Sequence, residues 1–466
     1  MSYIYAPQAV SRELRDAALD LHPALRGDDP RVQQFRRLYG HFLFCNYLDE
    51  HGRIITPHRT VQVVSEVTAH RKGKGTGAVL REFNEQVMPI DLSGYSREYG
   101  LARTVDPQFP AEILWLKSKS LPRDPELPRD RVDFATGERV SAFASHQRAA
   151  DYASRLQQQL VVPLHGHTAE LAGILNDQPR HALLKQIRRG WDATRQYVQE
   201  LPHGLCRHLT ENILLHLLEF SPVPQYSAVE RSPRLFAQGV NLTQTPREGR
   251  GHLLGGTLLD LRCAQLAIVA TLWGVDELRQ FLADGGAIWK ELLGHVGLGD
   301  QLERFKPVLK EAVYGTIYGA KRHNVLRELS RGRPAAPGVG DERAKTLLEH
   351  PFMQVLFDRR EARQAQILDD GGVRNAFGQW IPCTTGHPHE LRSLLCQQVQ
   401  SFEMRLMLTL VPVLRDERNL RPLAWLHDGL VVHVTDDTKY TRIIARMKRV
   451  VQVEADRLGF PTGLDH

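Results

Sequence analysis

The stretch LKEAVYGTIYGAKR, Leu309 to Arg322, decides how the rest of the chain is read. Lys310, Tyr314 and Tyr318 recur every four residues, with Gly315 and Gly319 one position behind. Positions four apart share one face of a helix, a turn above each other. A core face would be aliphatic and a solvent face charged. This face carries a cation, flat rings and bare backbone, which suits a phosphate and a base.

A chain of 466 residues is too long for one compact unit, and two to four domains are expected. Hydrophobic residues at 42% and charged residues at 24% are ordinary for a globular protein. No apolar run reaches bilayer length, and MSYIYAPQAVSREL has no basic-then-apolar leader pattern, so a cytoplasmic protein without membrane contact is expected. Cys45, Cys206, Cys263, Cys383 and Cys396 stand singly, which excludes a disulfide framework and a CxxC zinc site. The net charge of +6 leans mildly toward polyanionic partners.

Working outward, the region from about 145 to 220 has helical spacing, in LLKQIRRGWDATRQYVQEL and HLTENILLHLLEF. HRKGKGTG at 70–77 reads as a solvated loop or a nucleic-acid backbone contact, and LPRDPELPRDR at 121–131 as a linker. After 223, HLLGGTLLDL at 252–261 reads as an apolar strand ending in Asp260. LAWLHDGLVVHV at 423–434 reads as a hairpin turning at Asp428–Gly429. Singly, Asp260 is a strand-end or N-cap residue and Asp428 a turn residue. Together, with a lysine-bearing helix between them, they suggest a pair of magnesium ions held by carboxylates and substrate phosphates. The Leu261 carbonyl is a candidate extra ligand.

These segments resemble family A DNA polymerases. TLLDLRCAQLAIVATLWGVDEL is similar to their first palm motif, LKEAVYGTIYG to their finger-helix motif, and WLHDGLVVHV to their His-Asp-Glu hairpin. RLFAQGVNLTQTP, GGVRNAFGQWIP and CQQVQS resemble three further motifs in the same order, so the likeness covers about 230 to 460. It implies an α+β right-hand polymerase fold, with an antiparallel palm sheet and helical fingers and thumb. The expected division is an accessory region over 1–140, a thumb-like helical domain over 141–222, palm over 223–285, fingers over 286–370 and palm again over 371–466.

The resemblance further implies that Asp260, Leu261 and Asp428 bind two Mg2+ ions, with Mn2+ as a substitute. Lys310 and Lys306 would meet nucleotide phosphates. Tyr314 would stack near the sugar and base, and Tyr318 would pack beneath the nascent pair. Arg234, Gln400, His427 and Gly319 would contact the DNA primer-template. Four departures stand out. Gly429 replaces a Glu. Trp289 replaces a phosphate-contacting His, leaving Lys290 or Arg304 to compensate. Pro307 follows Lys306, so the finger helix is expected to start near 306 with Lys306 on its cap. Gln265 replaces the Glu that excludes a ribose 2′-hydroxyl, keeping its size and losing its charge.

The expected function is template-directed DNA synthesis from a primer and dNTPs, without proofreading and with replication accessory proteins as candidate partners. A primase or RNA-synthesising enzyme of the same fold is the alternative, suggested by Gly429 and Gln265. An inactive polymerase-like protein that binds nucleic acid is the third reading.

Overall fold

The computed structural model describes residues 9–44, 54–56, 76–91, 95–96, 102–119, 131–140, 166–201, 205–219, 223–229, 232–238, 241–333 and 336–466. Most of the HRKGKGTG and LPRDPELPRDR segments fall outside them. The chain is helix-rich with small antiparallel sheets. It forms two compact units, one of residues 1–161, 175–226 and 237–256, the other of 162–174, 227–236 and 257–466.

The first unit contains a helix over Pro30–Leu43, started by Pro30 in the first turn and by Asp29, whose side chain accepts from Arg31 N. Phe35, Tyr39 and Phe42 bury from this helix. The Tyr39 ring stacks on Phe134 at 5.5 Å, while Phe35 and Phe42 meet Phe83 edge-on. Arg36 on the same helix donates to the carbonyls of Leu25, Gly27 and Ala135, so its buried guanidinium closes loop carbonyls rather than facing a ligand.

The second unit is built on one four-stranded sheet. In chain order its strands are β1 (Thr257–Leu261), β2 (Leu420–Trp425), β3 (Gly429–Val434) and β4 (Leu464–Asp465), and their spatial order is β2-β3-β1-β4, all antiparallel. Leu259 and Leu261 are buried, as are Leu430, Val432 and Val434. HLLGGTLLDL is thus only half a strand. Its first part closes a helix over Arg247–Leu254, because Gly255 adopts the left-handed conformation that ends helices.

Five helices matter here: α1 (Ala264–Leu272), α2 (Leu302–Ile317), α3 (Pro351–Asp370), α4 (Pro388–Leu408) and α5 (Tyr440–Leu458). Helix α1 is buried from Leu266 to Ala270 and packs on α4, while α2 packs on α3. Contrary to the expected start near 306, α2 begins at Leu302 and runs through Pro307. A single-turn helix over Gly299–Gln301 leads into it, and Lys306 lies within the second turn rather than on a cap. At its far end Tyr318 is the C-cap residue and Gly319 has φ 87°. Arg360 on α3 donates to Ala320 O at 2.8 Å and Thr316 O at 3.4 Å, placing a cation against the negative end of α2.

One test concerns the first unit. His41 is buried, and burial depresses its pKa from an ordinary 6.5 to about 4. The unfolded chain therefore binds a proton between those pH values that the native state refuses. The associated stability is complete above about pH 6.5 and disappears as pH falls toward 4, by about 3 kcal/mol. Melting curves from pH 7 to 4.5 should show a falling midpoint, and His41→Leu should flatten that fall.

Candidate active site

Strand pairing brings the two aspartates to adjacent positions. Gly429 of β3 lies opposite Asp260 of β1, and Leu261 N donates to Asp428 O at 2.9 Å. Residues 261 and 428 therefore face each other through one hydrogen bond, and 260 and 429 form the neighbouring closer pair. Both aspartates are half-buried, whereas Leu259 and Leu261 beside Asp260 are buried. In an extended strand a residue's N–H and C=O point to the same side, so the Leu261 carbonyl faces the Asp428 turn. The Asp428 N–H that could have met it donates to Leu426 O instead, at 3.0 Å.

The hairpin does not turn at Asp428–Gly429. Leu426 N donates to Gly429 O at 2.8 Å, so His427 and Asp428 form the tip. His427 takes φ 70°, an uncommon state for a residue with a Cβ, and the bond from Asp428 N to Leu426 O closes a three-residue turn around it. The His427 ring lies 4.6 Å from Phe236. Burial, with the Arg234 charge, lowers its pKa to about 4 against the pull of Asp428, so the imidazole is neutral near pH 7.

Gly429 has a direct reason to lack a side chain. A Cβ there would collide with the Asp260 carboxylate and come within 3.1 Å of Leu259 O. Its φ is not positive, so the requirement is space and not backbone freedom.

The opening stripe lies on α2 as expected, with Lys310, Tyr314 and Tyr318 half-buried. The Lys310 ammonium is 5.9 Å from the Tyr314 ring. Burial is the first cause of the raised Tyr314 pKa, and the charge of Asp428 lies near enough to raise it further, which puts the stripe close to the Asp428 turn. Burial raises the pKa of Cys263, the N-cap residue of α1 with φ 48°, while the nearby charges of Lys310, Arg262 and Lys306 lower it. Trp289 is buried, meets Tyr314 edge-on at 5.9 Å and hydrogen-bonds Cys263. It supports the stripe from behind, while Lys290 and Arg304 are exposed.

A buried polar cluster lies beside the stripe. The Arg234 guanidinium pairs with Glu403 on α4, whose side chain is wholly buried. Gln265 on α1 donates from Nε2 to Glu403 Oε2 at 3.0 Å. Burial, with the nearby Glu403 charge, raises the Tyr318 pKa against the Arg234 charge, and its hydroxyl is buried without a hydrogen-bond partner among the described residues. Burial pushes the Glu403 carboxyl up, against the attraction of Arg234. Burial is the largest single influence on Arg234 and lowers its pKa, but the Glu403 charge and hydrogen bond with the nearby Tyr318 and Asp428 together raise it, so Arg234 stays charged. Gln400 lies 3.4 Å from Ser232, one turn of α4 before Glu403. Sequence reasoning passed over Glu403, although an acid in the apolar run of QSFEMRLML was a visible signal.

Gly319 packs against the Arg392 side chain, and its positive φ ends α2. A Cβ at Gly315 would meet only Ala320, at 3.5 Å, so close approach does not demand glycine there. Among the described residues, no three or more His, Cys, Asp or Glu side chains converge into a ready metal cage. Two carboxylates and a carbonyl at a strand edge still suit Mg2+, which keeps waters and takes substrate phosphate oxygens.

No family model matches the sequence, and no curated protein matches it. Among solved structures, the chain is similar to the polymerase domain of Pol1 from M. smegmatis, in complex with DNA primer-template and dNTP. The identity is 13% and the TM-score 0.42, over 97% of this chain and 80% of that chain.

The contact at Gly429 can be tested directly. Gly429→Ala should displace the Asp260 carboxylate and destabilise the β1–β3 pair by about 1–3 kcal/mol. Melting curves of the parent and the variant check it, and an unchanged midpoint would show that the carboxylate has room to move.

Proposed function

We propose that the chain is a template-directed nucleotidyltransferase that extends a DNA primer with deoxynucleotides. The observation that carries this reading is the adjacency of Asp260 and Asp428 on paired strands, with Tyr314 of the lysine-bearing helix near Asp428. Asp260, Asp428 and the Leu261 carbonyl would hold two Mg2+ ions, which supply Lewis-acid stabilisation of attacking and leaving oxygens.

The chain's own residues do the rest. Lys310, with Lys306 a turn earlier, offers positive charge where negative charge gathers on the departing phosphates. Tyr314 gives the base and sugar a flat surface, held edge-on by Trp289. Tyr318 and Gly319 close the end of that helix beneath the new pair. Gln400 offers an amide to the minor-groove edge of primer-template, where all base pairs present acceptors. Arg234 supports that edge while paired with Glu403. Neutral His427, fixed at the hairpin tip, faces the primer end.

The experiment is extension of a labelled primer on a template with Mg2+ and either dNTPs or rNTPs. Asp428→Ala should reduce extension by about a thousandfold or more while primer-template binding persists. Lys310→Ala should cost about tenfold to a hundredfold, expressed in both kcat and nucleotide KM. Faster incorporation of rNTPs than of dNTPs by the parent would replace this reading with an RNA-synthesising one. Binding without extension would replace it with a non-catalytic one.

A further inference from the structure

His350 stands between two helices that both support the stripe. It precedes α3, with Pro351 in the first helical position, and its Nδ1 accepts from Phe352 N at 3.1 Å. A ring nitrogen that accepts carries no hydrogen, so this imidazole is neutral and its one hydrogen is on Nε2. That Nε2 lies 3.9 Å from a Glu291 carboxylate oxygen on the helix Ile288–His295, beyond hydrogen-bond reach. His295, one turn after Glu291, meets the His350 ring edge-on at 4.8 Å. Among the described residues, Glu291 and His295 are the titratable groups that act on His350, and the Phe352 ring of α3 lies 5.2 Å from it. The His350 side chain is buried, while Glu291 and His295 are exposed.

A proton makes the two contacts exclusive. On Nδ1 it opposes the Phe352 N–H that the ring had accepted, and it adds positive charge at the positive end of α3. The same charge turns the approach to Glu291 into an ion pair. No acidic residue in the first turn of α3 takes over the cap. Helix α4 shows the contrast. His387 caps it in the same way, accepting from His389 N at 3.2 Å, but Glu390 also accepts from the N–H groups of Thr384, Thr385 and Gly386. Losing the His387 cap would leave that second clasp in place.

We propose that His350 is a proton-operated switch between two partners: neutral, it caps α3, and protonated, it leaves the cap and pairs with Glu291. Both partners bear on the stripe, since α3 brings Arg360 to the end of α2 and the Glu291 helix brings Trp289 to Tyr314. The inference is independent of the nucleotidyltransferase reading. Burial, with the His295 charge, lowers the His350 pKa from an ordinary 6.5 against the pull of Glu291. The stability from the cap is therefore complete above about pH 6.5 and is lost as pH falls through the lower folded value.

The test follows hydrogen exchange of the Phe352 amide and the ring 15N shifts of His350 in the full-length protein, from about pH 7.5 to about pH 5. Exchange rates are corrected for their intrinsic pH dependence. The ring should carry its hydrogen on Nε2 at the upper pH, and protection of the Phe352 amide should fall about fivefold or more on acidification. His350→Asn keeps a capping oxygen that takes no proton, so its protection should stay within about twofold. Glu291→Gln removes the ion-pair partner and should move the midpoint of the fall to lower pH by about half a unit. A parent whose protection falls no more than that of His350→Asn would overturn the switch, as would an unmoved midpoint in Glu291→Gln. Should His350→Asn not fold, the parent's ring shifts decide. Hydrogen on Nδ1 at the upper pH sinks the inference, and hydrogen on Nε2 with titration in step with lost protection supports it.

Discussion

Everything the site offers depends on one register, the pairing of β1 with β3. Side chains alternate between faces along a strand, so a slip of one residue would carry Asp260 to the buried face that Leu259 and Leu261 occupy. Two features pin this register from opposite ends. The apolar side chains of Leu259, Leu430 and Val432 are each fully buried. At the other end the hairpin tip is set by His427, whose positive φ stores strain on the order of 1–3 kcal/mol. Hydrophobic burial of about 1.5–3 kcal/mol per large side chain readily sustains that strain. The Asp260 carboxylate then fits over Gly429 because nothing else is there.

The second constraint is electrostatic and sits one layer away. Taking the Arg234 and Glu403 charges out of water is costly, and breaking such a buried pair by deleting one partner typically destabilises by about 3–5 kcal/mol. The pair therefore couples the strand before β1 to α4, and through Gln265 and Tyr318 to α1 and α2. Movement of any of these elements disturbs the others. The stripe on α2 is steadied again from α3, where Arg360 caps the helix's last carbonyls. The stripe is thus braced by two cations, each held by partners within the protein.

How much of this was legible depended on range. The stripe was visible because helical spacing is local, and the aspartates because each ends an apolar run in the sequence. The start of α2 was misread, since the rule for Pro307 treats a proline as a boundary and a preceding helical turn let the helix run through it. HLLGGTLLDL was misread because Gly255 was taken as strand interior when its left-handed backbone ends a helix. Glu403 went unseen for a different reason. It is 138 positions from Gln265 and 169 from Arg234, and no local pattern joins residues so far apart. Only the folded packing of α4 against α1 reveals that the three are neighbours.

The departures from the polymerase pattern gain sense when charge and volume are followed together. Gly429 lacks a carboxylate, and the space opposite is filled by the Asp260 carboxylate. Gln265 lacks a negative charge, and one stands 3.0 Å away on α4. Trp289 cannot contact phosphate as a histidine would, but it braces Tyr314 and bonds Cys263 beside three cations. Each exchange keeps the local balance of size and charge while changing which element supplies it. Restoring a single pattern residue in isolation should then disrupt its neighbour: Glu at 429 would strike Asp260, and Glu at 265 would face Glu403 carboxylate to carboxylate in a dry site. The substitutions are coupled by contact, and their effects belong to pairs of residues rather than to single positions.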